Sequence, residues 1–136
     1  MNKLTNANSI IKVIIQAYNE EKSIGNVIRD IPTAVDEIIV VNNNSTDATG
    51  INAKNAGGTV LSELKPGYGN ACLKGIDYIK QQKTGTDIVV FLDGDYSDYP
   101  EELTKIVRPI TENSIDFVIG SRVKKFREKG AMQPQQ

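Results

Sequence analysis

"VVFLDGDYSDYPEE", residues 89–102, drops from four apolar residues straight into three aspartates within six positions. An apolar run this short, rich in branched and aromatic residues, reads as a strand buried on both faces. Acids at its end then stand where a parallel α/β sheet gathers ligands, outside the carboxyl ends of its strands.

Working outward, similar runs recur as "IIKVIIQA" (10–17), "EIIVVN" (37–42), "TVLSE" (59–63), "DIVVFLD" (87–93) and "DFVIGS" (116–121), all predicted strands. Between them the period changes. Ile24, Val27, Ile28 and Ile31 fall at helical spacing, as do Leu103, Ile106, Val107 and Ile110. Asn19 before Glu20 and Glu21, Ser45 and Thr46 before Asp47, and Pro100 before Glu101 and Glu102 read as helix starts. A third helix is expected from about Gly69 to Lys83. Strand and helix alternating through short connections predict a mostly parallel sheet in a three-layer α/β/α sandwich. Tyr18-Asn19-Glu20, Asn42-Asn43-Asn44 and Asp93-Gly94-Asp95 should then converge on one sheet edge.

The composition narrows the chemistry. At 136 residues the chain is expected to form one domain, with 123–136 a loosely packed, charged tail. With 16 basic and 17 acidic residues there is no field to attract nucleic acid or an anionic membrane. The absence of histidine removes imidazole metal sites and histidine bases, so acid-base or metal chemistry must run on carboxylates. Cys72, the one cysteine, shares a helical pattern with Ile76 and Ile79 and reads as a core thiol. Lys12 interrupts an apolar run already too short for a membrane span, which predicts a soluble, reduced, cytoplasmic chain.

Asp93 and Asp95, two apart, would point the same way in an extended segment, and Gly94 would let a ligand approach the backbone. Such a pair suits Mg²⁺ or Mn²⁺, which take oxygen ligands and complete their shell with phosphates and water. The alternative, turn and cap residues leading to Pro100, accounts for Ser97 and Asp98 but not for Asp93 directly after the strand.

The ordered set "QAYNEE", "VVNNNSTDAT" and "FLDGD", across 11 to about 122, resembles the Rossmann-like nucleotide-binding half of family-2 glycosyltransferases of the GT-A fold, most of all the dolichyl-phosphate mannose synthase and polyprenyl-phosphate glycosyltransferase branch. The resemblance implies an inverting, metal-dependent transfer from a UDP- or GDP-sugar to an acceptor, a polyprenyl phosphate or a glycan hydroxyl. By the same resemblance, Ala17, Tyr18 and Glu20 match a first nucleotide-binding loop, and Asn42 and Asn43 a base-recognition site. Asp93, Gly94 and Asp95 match the metal and ribose-diphosphate site, and Arg122 a phosphate-contacting arginine. The family usually carries an aspartate after the second strand, where this chain has three asparagines. An amide oxygen still accepts a hydrogen bond, but the amide adds two donors, which leaves uracil and guanine both open.

Each residue also has a plainer reading: Tyr18 as strand-end packing, Glu20 as a helix-dipole partner, Arg122 and the lysines after it as a solvated face. Gly67 and Gly69 serve either a turn or a phosphate-binding helix start. Fuller family members extend well past the position matching Gln136. The resemblance therefore also implies a C-terminally truncated chain, from a protein that works at the cytoplasmic face of a membrane, and a homo-oligomer is compatible with it. A non-catalytic nucleotide-sugar-binding domain is the main alternative. A nucleotidyltransferase would show a Gly-rich basic loop where "QAYNEE" stands, and a dinucleotide oxidoreductase a G-x-G-x-x-G that is absent.

Overall fold

The computed structural model describes residues 9–83, 85–96, 99–105, 107 and 108. Four strands, β1 (Ile11–Ala17), β2 (Glu37–Asn42), β3 (Thr59–Ser62) and β4 (Ile88–Asp93), alternate with α1 (Ile24–Arg29), α2 (Thr49–Asn55) and α3 (Tyr68–Gln81). A short 3₁₀ turn, Pro100–Glu102, leads into a further helical stretch. The predicted strand 116–121 and the tail lie outside the described residues.

All pairings are parallel, in the order β3-β2-β1-β4. The chain steps outward from β1 to β3, then crosses back to place β4 on the other side of β1. The gap between β1 and β4 is therefore a topological switch point, where such sheets open a crevice at their carboxyl ends.

Alternation along the strands builds the two cores. Val13, Ile15, Ala17, Val40, Val90 and Leu92 face α1 and α2, whose Ile24, Val27, Ile28 and Ala53 are buried against them. Leu103 and Val107 join this cluster, as their helical spacing predicts. Ile14, Ile39 and Val41 face α3 through Ala71. The sandwich has three layers, as the alternation implies. α3 lies so close that a Cβ on Gly75 would stand 2.8 Å from Ile14 Cγ2. The line of closest approach takes the small Ala71 and Gly75, which are buried, while Cys72 is half-buried and Ile76 and Ile79 pack partly buried beside it. The helical pattern had placed Cys72 in the core; the close approach of the backbones moves it to the flank.

Lys12 is buried in the sheet. Its ammonium lies 3.3 Å from Glu37 Oε1, on the strand partner directly opposite, and donates to Gln82 Oε1. Glu37 also accepts from Tyr78 Oη (2.6 Å), Thr59 Oγ1 (3.0 Å) and Gln82 Nε2 (3.0 Å). Burial pushes the Glu37 carboxyl up, yet these donors outweigh it and hold the group below its ordinary value. The network satisfies a charge that would otherwise be stranded inside the fold.

Candidate nucleotide-sugar site

Register sets the strand ends level: Ala17 pairs with Asn42, Asn42 with Ser62, and Gln16 with Asp93. The three polar clusters thus meet at one edge. Each of their loops contains a non-glycine residue with positive φ: Asn19 (52°), Asn44 (64°) and Tyr96 (64°). Left-handed backbone costs on the order of 1 kcal/mol per such residue, and it persists where surrounding contacts over-determine it.

Those contacts are dense between the first two loops. Asn19 N donates to Ser45 Oγ (2.9 Å), and Asn19 Oδ1 accepts from Thr46 N (2.8 Å). Glu20 N donates to the buried Thr49 Oγ1 (2.8 Å), whose hydroxyl is bonded to Asp47 Oδ1. Ala48 N donates to Glu21 Oε1 (3.0 Å), and Asn52 Nδ2 to Glu21 O (3.0 Å). These bonds displace the helix start. Asn19 and Glu20 were expected to open α1, but Asn19 and the Glu20 N–H serve the neighbouring loop, and the helix begins only at Ile24, whose N–H donates to Glu20 O (2.9 Å). Likewise the N-cap of α2 is Ala48, not Ser45 or Thr46, and Asp47 just before it accepts from Thr49 N (3.0 Å), the first residue of the helix. Ser45, Thr46 and Asp47 read in the sequence as a helix start, and Thr49 carried no signal of its own; their separation from Asn19 and Glu20 along the chain hid the pairing.

At the switch point, Asp93 ends β4 half-buried and Asp95 is exposed. The chain turns at Gly94, so the two aspartates do not share a face by strand alternation as expected. Gly94 is itself buried, and a Cβ there would stand 3.1 Å from Gln16 O and 3.2 Å from both Ala17 Cβ and Ile24 Cδ1. Its bare face is turned into the sheet, where it lets the turn lie against β1. Gly94 N donates to Gln16 O (3.0 Å), and Ser23 Oγ donates to Gly94 O (2.6 Å), so β1 and the start of α1 hold the turn from both sides. Tyr96 Oη bonds Asp30 at the far end of α1.

Glu20 reports the resulting field. Burial pushes its carboxyl above the ordinary value, and the charge of Asp95 adds to the rise, as do those of Asp93 and Asp47. The Ser23 hydroxyl, 3.5 Å from Glu20 Oε1, opposes the rise. Carboxylates from both sides of the crevice therefore share one electrostatic neighbourhood, and a divalent cation would relieve their repulsion. Among the described residues no three acids or thiols form a closed metal cage. The donor set fits a hard cation that takes its remaining oxygens from a phosphate-bearing ligand and water.

Of the other residues, Ala17 is buried at the end of β1, and Tyr18 is 53% exposed beside it, a free aromatic face. Asn42 Oδ1 accepts from Ser45 N (3.1 Å). Asn43 is buried, with its amide engaged on Glu63 O, Lys65 O and Gly67 N. Gly69 lies inside the first turn of α3, with open space around it, and Gly67 (φ 116°) precedes the helix. Burial pushes the Cys72 thiol up; a hydrogen bond with Tyr68 opposes this and the charge of Asp93 adds to it. Asp98 and Arg122 lie outside the described residues.

A parallel sheet with a switch point, and with acids and polar loops gathered over it, is the arrangement in which open α/β sheets take ligands at their carboxyl edge. Residues 12–136 match the family described as glycosyl transferase family 2, and the chain belongs to it. It is 33% identical over 141 residues to the UDP-N-acetylglucosamine–dolichyl-phosphate N-acetylglucosaminyltransferase of Methanococcus voltae, covering 90% of this chain and 55% of that protein. It is 37% identical over 116 residues to Protein RfbJ of Shigella flexneri, covering 82% and 84%. Among solved structures, the glucosyl-3-phosphoglycerate synthase of Mycobacterium tuberculosis, in complex with Mn²⁺, UDP and glucosyl-3-phosphoglycerate, superimposes with a TM-score of 0.66 at 34% identity. That match covers 78% of this chain and 41% of the synthase. The fold is that of these GT-A glycosyltransferases, and the chain spans about half the length of the archaeal relative and of the synthase.

Proposed function

We propose that the carboxyl edge binds a nucleotide-diphosphate sugar and that the chain is the donor-binding part of a glycosyltransferase. The observation that carries this is the strand register, which sets the ends of β1, β2 and β4 level and so gathers the Tyr18–Glu20, Asn42–Asn44 and Asp93–Asp95 clusters at one edge, over the switch point. Asp93 and Asp95 would hold Mg²⁺ or Mn²⁺. When bound, such an ion would supply positive charge to offset the negative charge developing on a departing diphosphate.

The chain's own residues do the rest. The loops after β1 and β2, tied by Asn19, Ser45, Thr46 and Thr49, give a rigid floor for the nucleoside. The exposed ring of Tyr18 offers a stacking face, and Asn42 a polar group for the base. The open first turn of α3 at Gly69 offers backbone amides to phosphate. Arg122 is assigned to the leaving diphosphate by resemblance. The UDP of the synthase structure favours a uridine donor. The dolichyl-phosphate relative favours a polyprenyl phosphate acceptor, an anion that needs no strong base to attack with inversion. Among the described residues no helix is long and apolar enough to cross a membrane. A polyprenyl acceptor would place the working protein at the cytoplasmic face of one.

The test is a thermal-shift panel of UDP, GDP, CDP and their sugars, with and without Mn²⁺, repeated on Asp95→Ala. Ligand at about 100 times its Kd stabilises a fold by about 2.7 kcal/mol, a shift of several degrees. Mn²⁺ should enhance the shift for UDP, and Asp95→Ala should abolish the enhancement. If the substituted chain keeps it, the metal assignment fails. Metal-dependent binding with no turnover on any acceptor would instead mark a non-catalytic donor-binding domain.

A further inference from the structure

We propose that Asp30 is a positioning residue for the acidic turn, one that acts through Tyr96 and is not itself a metal ligand. The inference rests on the nucleotide-sugar reading above. Asp93, Gly94, Asp95 and Tyr96 are consecutive, so contacts that fix Gly94 and Tyr96 also fix the two aspartates beside them. Two such contacts come from opposite ends of α1. Ser23, the N-cap residue, donates through Oγ to Gly94 O (2.6 Å). Asp30, the C-cap residue, accepts from Tyr96 Oη.

Neither side chain serves the helix it flanks. A serine at an N-cap ordinarily accepts from a backbone N–H of the first turn, but Ser23 makes no such bond. A carboxylate at the end of a helix stands against the negative end of its dipole, where a cation is favoured. Both residues are accounted for by the turn they hold. Tyr96 needs a hold, because its φ of 64° is unfavourable for a bulky side chain and persists only where contacts over-determine it. Its ring is 44% exposed, so packing contributes little, and its hydroxyl is tied to Asp30. The body of α1 is anchored in the core through Ile24, Val27 and Ile28. The helix is therefore a splint across the turn, fastened at Gly94 and at Tyr96, and it sets the acidic pair in advance of binding.

The experiment measures Mn²⁺ affinity in excess UDP, from the electron paramagnetic resonance signal of the free ion, together with the Tm of the ligand-free chain. The whole chain carries Asp30→Ala, Tyr96→Phe, both, or Asp30→Asn. Asp30→Ala and Tyr96→Phe should each weaken Mn²⁺ binding roughly threefold to tenfold. The double variant should lose no more than either single one, because all three lack the same bond. Tm should change little, since neither side chain lies in the core. Asp30→Asn keeps an acceptor oxygen and should keep most of the affinity, a rescue that loss of a merely structural carboxylate would not show. Additive losses, or a Tm that falls in step with the affinity, overturn the inference. So does Asp30→Asn falling as far as Asp30→Ala, which would assign the effect to the charge of Asp30 and not to its bond with Tyr96. Unchanged affinity in the variants, where the unsubstituted chain binds Mn²⁺ with UDP, overturns this inference alone. No joint binding of Mn²⁺ and UDP by the unsubstituted chain overturns the functional reading and this inference with it.

Discussion

Gly94→Ala separates two uses of a glycine between acids. If its bare face serves an incoming ligand, alanine should weaken ligand binding and leave the fold alone. The structure argues the reverse: the new methyl would lie 3.1 Å from Gln16 O, 3.2 Å from Ala17 Cβ and 3.2 Å from Ile24 Cδ1. None of these neighbours yields easily. Gln16 O is strand backbone and already accepts from Gly94 N, and Ala17 and Ile24 are fully buried. Overpacking of this kind costs about 1–3 kcal/mol. Gly94 does not have a positive φ, so alanine recovers about 0.4–1 kcal/mol by stiffening the unfolded chain. The net loss is between about 0 and 2.6 kcal/mol, with a middle value of about 1.3, and at that value thermal unfolding should fall by several degrees. The turn carrying Asp93 and Asp95 must shift to admit the methyl, so Mn²⁺-dependent stabilisation by UDP should weaken too. An unchanged Tm together with lost UDP binding would refute the inward packing and return Gly94 to the ligand side.

Lys12→Met strands Glu37 beside an apolar group and should cost about 3 kcal/mol in urea denaturation, with Glu37→Gln recovering part of it in the double variant. Glu37 itself sets an acid limb. Its folded value lies below its ordinary 4.5, so its contribution is complete above that pH and is lost as the pH falls through the lower folded value. Glu37→Gln should flatten that limb; an unaltered limb would assign it to other carboxylates. Asn19→Ala should cost about 1–2 kcal/mol by combining left-handed strain with the lost bond from Thr46, whereas Asn19→Gly should cost less. Equal losses in chemical denaturation would show that backbone strain plays no part there.

The sequence by itself determined the layers. Period-two and unbroken apolar runs marked the four described strands to within a residue or two, and i, i+3, i+4, i+7 spacing marked α1, because solvent exclusion imposes those periods on neighbouring residues whatever their partners. It also determined that the polar clusters after β1, β2 and β4 would share an edge, since parallel strands must all end on the same side. What only the tertiary structure decided are the pairings between distant residues. Asn19 meets Ser45 and Thr46, Asn43 meets Glu63, Lys65 and Gly67, and Lys12 meets Glu37 and Gln82. A hydrogen bond depends on where two chain segments pass one another in space, and no local pattern records that. For the same reason the bare face of Gly94 turned inward and Cys72 came to lie at the flank of α3: each was settled by how closely one backbone lies against another.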